Sequence, residues 1–204
     1  PIRQHNVTVR TPQRDPYPFE VEDEVERGLE PALQEGLVVR SGEEHYRFLH
    51  DRIQQAAHGL IPEARRKGIH LRIGRLLLER LSAEDVREKL FDIVSQLNLG
   101  REEMTRPEER HHLARLNAEA GWKARASSAH GSAASYLATA FSLIPGDPWQ
   151  EDPALAFKVQ LDRASSELMS GQLPVARQLL EALCARARSP SDIAAAYSLR
   201  HEVH

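Results

Sequence analysis

Beyond residue 20, apolar positions recur mostly at helical spacing, and in one place they form short runs suited to paired strands. Val21, Val25, Leu29 and Leu33 lie four apart, which predicts a helix over 20–35 stopped by Gly36. Pro31 falls inside it and is expected to kink or split it. Leu37 to Arg40 and His45 to Leu49 are β-prone runs flanking Ser41-Gly42-Glu43-Glu44, a hairpin signal. Asp51 then stands where an N-cap is expected, with Gln54 three residues on as a capping-box partner. Ile53, Ala56, Ala57 and Leu60 form the stripe of a helix ending near Pro62.

After Pro62 every strong segment reads as helix. Ile69, Ile73, Leu76, Leu77 and Leu81 are expected on the buried face of one helix, and Ser82 with Asp85 caps a second that continues through Leu90, Ile93, Val94 and Leu97 toward Gly100. Thr105, Pro107 and Glu108 read as cap, early-turn proline and capping-box acid of a helix with Leu113, Leu116, Ala120 and Ala124 inward. Ala133, Tyr136, Leu137, Ala140, Phe141 and Ile144 mark its partner, which ends at Pro145-Gly146-Asp147-Pro148. Asp152 and Pro153 open another helix (Phe157, Leu161, Ala164, Leu168), Gly171 breaks it, and Leu173, Ala176, Leu180 and Leu183 form its partner. Ser189, Pro190 and Asp192 begin one more.

Paired helices with short turns suggest a repeat. Gly121, Ala133, Ala140 and Pro145 match the small residues and closing proline of a tetratricopeptide unit. Ala164, Gly171, Leu173 and Ala176 match it in the next pair, with Leu183 in place of the last small residue, and Gly74 matches in the first. Successive starts are 43 to 47 residues apart rather than 34, so the units are longer than the standard one. Residues 1–18, with Pro1, Pro12, Pro16 and Pro18 around a short strand-like Asn6-Val7-Thr8-Val9, read as linker or edge segment. The expected fold is mainly α: 19–61 as the later part of a winged helix with one hairpin, and 62–204 as tetratricopeptide-like helical repeats.

Composition changes this picture little and narrows the chemistry. The 204 residues are 41% hydrophobic and 28% charged with a net charge of -3, which gives no whole-chain attraction to nucleic acid or anionic lipid. No apolar run approaches membrane-spanning length, and a single Cys184 with no leader pattern points to a reducing, cytoplasmic setting. A start at Pro1 and an end inside a helical pattern suggest a fragment of a longer protein. Residues 63–81 are locally basic (Arg65, Arg66, Lys67, Arg72, Arg75, Arg80), but the acidic segment 20–35 that would enter a groove argues against DNA and for a salt-bridged or solvated face. The adjacent His111 and His112 diverge on a helix, and His201-Glu202-Val203-His204 lacks metalloprotease spacing, so no metal site is expected. Cys184, beside Leu180 and Leu183, reads as a small buried residue; Trp122 lies off its helix's inward stripe and is left between packing and a binding groove.

The run Tyr46-Arg47-Phe48-Leu49-His50-Asp51-Arg52-Ile53-Gln54-Gln55-Ala56-Ala57, then Leu60-Ile61-Pro62-Glu63 and Ile69-His70-Leu71-Arg72-Ile73-Gly74-Arg75-Leu76-Leu77-Leu78, carries a resemblance. It resembles the junction of winged-helix and tetratricopeptide-like portions in large bacterial signalling proteins, where an AAA-type STAND ATPase module lies between a serine/threonine kinase-like domain and a sensor histidine kinase domain. Phe91-Asp92-Ile93-Val94-Ser95-Gln96-Leu97-Asn98 and Pro107-Glu108-Glu109-Arg110 continue the likeness, which covers roughly residues 29–200 and is specific in its first half. It implies that Leu49-His50-Asp51 stands for the Met-His-Asp triplet of STAND ATPases. His50 would then sense the β-phosphate of ADP while Asp51 caps the next helix; Leu49 stands where the triplet has Met. A strand-end histidine satisfied by backbone is the plainer reading of His50.

No Gly-x-x-x-x-Gly-Lys-Ser/Thr loop occurs in the chain, so no catalytic residue or cofactor is expected in it, and ADP or ATP belongs to the parent protein by resemblance alone. The reading is a non-enzymatic regulatory and protein-interaction region coupling a nucleotide-switch core to kinase output. Its expected partners are neighbouring ATPase and kinase domains and an unknown protein or peptide on the repeats, with no nucleic acid and no membrane insertion. The alternative is a plain tetratricopeptide-type scaffold that binds a peptide or protein without nucleotide control.

Overall fold

In a computed structural model of the chain, which describes residues 28–40 and 46–202, the fold is mainly α with one small antiparallel sheet. The strand-like 6–9 stretch, the helical pattern over 20–27, the acidic residues there, the hairpin turn, the Gln54 side chain and His204 lie outside what is described. The chain divides into two units at Arg66/Lys67, within one helix.

In the first unit, residues 28–34 are helical (α1) and continue across Pro31 without the expected break. Gly36, at φ +66°, ends the helix as a left-handed cap: its amide donates to the Leu33 carbonyl and the Leu37 amide to that of Ala32. Strands β1 (Val38–Arg40) and β2 (Tyr46–Phe48) pair antiparallel, with Val38 opposite Phe48 and Arg40 opposite Tyr46. Helix α2 (Asp51–Leu60) follows.

In the second unit, α3 (Glu63–Arg80) contributes its residues from Lys67 onward. Its inward face differs from the expected one: Leu71 and Gly74 are buried and Leu77, Leu78 and Leu81 pack against the core, whereas Ile69 (38%), Ile73 (37%) and Leu76 (37%) stay exposed. The reason is close backbone approach. A Cβ on Gly74 would collide with Leu97, and one on Gly100 would stand 2.6 Å from the Leu71 nitrogen and 2.7 Å from the Lys67 carbonyl oxygen. The glycine face therefore turns inward and takes Leu71 with it.

The single helix expected after Ser82 is two, α4 (Ala83–Glu88) and α5 (Leu90–Gly100), separated at Lys89 (φ -90°, ψ 15°). Ser82 caps α4, accepting the Asp85 amide at 3.2 Å. Helix α6 (Pro107–Ala126) has Pro107 in its first turn, but Arg106 rather than Thr105 occupies the cap position. It is followed by α7 (His130–Leu143), a short helix α8 (Pro148–Glu151) that the pattern did not predict, α9 (Pro153–Met169), α10 (Leu173–Arg186) and α11 (Pro190–Glu202). Along this run α6 packs on α7, α7 on α9, α9 on α10 and α10 on α11.

Two of these pairs are alike at a spacing of 43 residues. Ser128 (φ +57°) and Gly171 (φ +81°) are the left-handed residues closing α6 and α9. The next residues, Ala129 (φ -85°, ψ 62°) and Gln172 (φ -86°, ψ 57°), open α7 and α10. Ile144 (φ -63°, ψ 120°) and Ala187 (φ -60°, ψ 123°) end those helices. Buried residues follow the same offset: Gly121 and Ala164, Ala133 and Ala176, Leu137 and Leu180, Ala140 and Leu183. A Cβ on Gly121 would lie 2.7 Å from Leu137 Cγ, so the helices of that pair meet almost backbone to side chain. A further offset pair is polar. Asn117, fully buried, exchanges amide hydrogen bonds with Asn98 of α5 (2.9 and 3.0 Å) and donates to the Leu113 carbonyl, while its counterpart Gln160 is buried with its Oε1 unpartnered.

Candidate functional site

His50 and Asp51 lie where β2 turns into α2. His50 is exposed, and its carbonyl oxygen accepts the Ile53 amide at 2.9 Å. Asp51 is exposed as the first helical residue of α2, one place later than the N-cap expected of it, because the turn closes on the His50 carbonyl; from there its carboxylate faces the positive end of the helix. Among the described residues neither side chain has a hydrogen-bond or ion-pair partner. The sequence motif thus corresponds to two accessible polar side chains at one turn.

The developed surface feature belongs to the second unit and was not anticipated as a whole. Helices α6 and α9 carry facing rows of polar residues and enclose an open groove of about 340 Å³ lined by Arg115, Glu119, Trp122, Asp152, Ala154, Leu155 and Lys158. Arg115, Glu119 and Trp122 are four and three residues apart on α6, and Leu155, Lys158 and Asp162 have similar spacing on α9, so each row follows one helix face.

Two aspartates knit the rows together. Asp152 caps α9 by accepting the Leu155 amide at 3.2 Å and faces His111 Nε2 at 3.1 Å and Arg115 at 3.4 Å. Burial pushes its carboxyl up, but the Leu155 amide, His111 and Arg115 together outweigh this and hold it below the usual range. Asp162 accepts from Trp122 Nε1 at 2.9 Å, pairs with Arg125, and lies 3.4 Å from Lys158 Nζ. Lys158 in turn lies over the Trp122 ring, 4.9 Å from its centroid. Trp122 therefore does both things considered for it: its ring lines the groove and its nitrogen is tied to α9.

The basic face of α3 is partly consumed by internal pairs. Arg75 donates two hydrogen bonds to Glu109 of α6, at 2.6 and 2.8 Å, and Lys67 pairs with Glu102. The Arg75 guanidinium holds Glu109 below the usual carboxylate range despite its burial. Cys184 is half-buried against the α9–α11 core. Among the described residues, no group of three His, Cys, Asp or Glu is placed to hold a metal ion, and no helix is long and apolar enough to cross a membrane.

Sequence spacing alone concealed the groove, since its pairs join residues 37 to 41 apart with no local motif. The available signal was Trp122, a large aromatic off the core stripe.

No protein-family model matches the chain, and no solved structure matches it. Among curated proteins the chain is similar to hybrid signal transduction histidine kinase G of Dictyostelium discoideum, 32% identical over 172 residues covering 72% of the chain. The organism lends no support to the bacterial setting expected from the resemblance. The chain spans 5% of that protein's own length, so the likeness is to one region of a far longer signal-transduction kinase.

Proposed function

We propose that the chain is a regulatory, protein-interaction region of a larger signal-transduction kinase. The observation that carries this reading is its 32% identity, over most of its length, to a segment of a hybrid signal transduction histidine kinase. In finer terms, residues 19–61 are read as the end of a winged helix and 62–204 as tetratricopeptide-like repeats. The 43-residue recurrence of caps and buried positions between α6–α7 and α9–α10 supports the second assignment. The region itself performs no catalysis. It couples an upstream STAND-type ATPase core, which binds ADP or ATP, to the kinase output, and the partners are those neighbouring domains and a protein bound on the repeats.

In this mechanism His50 donates to a nucleotide phosphate supplied by the ATPase core, and occupancy of the repeats shifts that contact between two states. Its exposed position at the β2–α2 turn supports the assignment, since an imidazole at a helix entrance is accessible to an anion. The test is calorimetry of ADP binding to a protein extended upstream to include the phosphate loop, alongside its His50→Ala form. Tight ADP binding by the extended protein, weakened about tenfold or more by the substitution, is the expected result. Equal affinity with and without the imidazole would sink the switch.

The α6–α9 groove favours one second reading, a scaffold that binds a protein segment without nucleotide control. Under it the 204-residue chain binds its partner with the same affinity whether or not nucleotide is present on the larger protein.

A further inference from the structure

We propose that the α6–α9 groove recognises an acidic peptide segment, with carboxylate side chains of the segment placed against Arg115 and Lys158 and an apolar side chain laid on Leu155 and Trp122. This deepens the protein-interaction reading above and rests on it, since it names the chemistry of the occupant.

The argument is one of unspent donors. The two aspartates between the helices are already engaged: Asp152 accepts from an amide, an imidazole and a guanidinium, and Asp162 accepts from an indole and a guanidinium, with the Lys158 ammonium 3.4 Å away as an ion pair. Their side chains are only 20% and 15% exposed. The cations beside them are in the opposite condition, Arg115 at 63% and Lys158 at 60% exposure. A guanidinium offers five N–H donors and an ammonium three; one of Arg115's reaches Asp152 and one of Lys158's reaches Asp162, both at 3.4 Å. The most exposed charges around the groove are therefore Arg115, Lys158 and Glu119, two cations to one acid, while Asp152 and Asp162 are held among their partners.

Glu119 limits how negative the occupant is. It is exposed on the α6 row between Arg115 and Trp122 and has no partner among the described residues. A densely anionic ligand such as nucleic acid would meet this carboxylate directly. A peptide carries isolated carboxylates and amides, so it bonds the two cations and gives Glu119 a backbone N–H. The floor between them, Ala154, Leu155 and the Trp122 ring, is apolar. At about 340 Å³ the groove falls at the small end of ligand sites, fit for one or two side chains of a bound segment.

The test uses the 204-residue chain with its two tryptophans replaced by 5-fluorotryptophan, so that Trp122 and Trp149 give separate fluorine NMR signals. Three N-acetylated, C-amidated hexapeptides are titrated, alternating leucine with glutamate, glutamine or lysine. The glutamate peptide is expected to bind at least tenfold more tightly than the other two, to shift the Trp122 signal, and to lose affinity about tenfold in Arg115→Gln/Lys158→Gln. The variant Arg115→Glu/Lys158→Glu is expected to reverse the preference toward the lysine peptide, an outcome that misfolding does not produce. Equal binding of all three peptides, or preference for lysine by the unaltered chain, overturns the proposal. Glutamate-peptide binding that leaves Trp122 and the Arg115/Lys158 substitutions without effect removes the groove assignment and spares the protein-interaction reading. Failure of every peptide to bind overturns the groove proposal alone, since the interaction reading is carried by the kinase likeness.

Discussion

Three residues in the second unit are held in positions that few alternatives satisfy. Gly100 faces the backbone of α3, which unlike a side chain cannot rotate away, so Gly100→Ala is expected to cost about 2 kcal/mol or more in chemical denaturation despite alanine's better helix propensity. Ser128 sits at φ +57° in the place Gly171 occupies in the next pair. Ser128→Gly is therefore expected to stabilise by about 0.5 to 1 kcal/mol, a rise in the same assay, while Gly171→Ala lowers stability by about 1 kcal/mol. The third is Asn117. Truncating it to alanine strands the Asn98 amide in a part-buried position, an expected loss of about 1 to 3 kcal/mol. Replacing both asparagines with leucine recovers part of that loss, because no polar group is then left unpaired. A double-mutant cycle in urea reads the coupling between them.

At the level of elements, two carboxylates hold helices that are distant in sequence: Asp152 joins α9 to α6, and Glu109 joins α6 to α3. Both are depressed below the usual range, so their stabilisation is complete above the unfolded-state carboxylate pKa and is lost as pH falls through the lower folded values. Asp152→Asn is expected to reduce stability at neutral pH by about 1 kcal/mol, through the lost charge on the cap and its ion pairs, and to flatten the acid limb of a stability–pH profile; an unchanged limb would remove Asp152 from that role. Most of these elements were legible because their ends are chemically marked: Gly36, Ser82, Asp152 and Gly171 stop or start helices by capping chemistry that spacing reveals. The α4–α5 break at Lys89 has no glycine or proline to announce it. The inward face of α3 was misjudged because apolar side chains were taken as the buried ones, whereas Gly74 and Gly100 decide which face can approach. Of the candidate residues, His50 and Asp51 at the β2–α2 turn were singled out by motif. The groove was not, since Asp152 and Asp162 acquire their meaning only from residues on α6.

For the whole molecule, the 43-residue offset makes a specific claim about modularity. Deleting residues 122–164 joins Gly121 to Ser165 in the register that the two pairs share, so the shortened chain is expected to remain helical by circular dichroism and to unfold cooperatively at a lower temperature. A deletion of 40 residues from the same point places polar residues on the buried face and is expected to abolish the cooperative transition. The matched offset also explains why the chain's repeats are harder to see than its helices: Leu183 stands where Ala140 does and Ala187 where Ile144 does, so backbone geometry is kept while residue identity drifts. The smallest residues carry a last consequence. Where Gly74 meets Leu97 and Gly121 meets Leu137, the distance between paired helices is set by the main chain and one leucine rather than by a layer of variable side chains. The pairs act as spacers of fixed thickness, and exposed groove positions that make no helix-to-helix bond, Glu119 and Ala154, can be rewritten by evolution or by an engineer without altering the pitch at which they are presented.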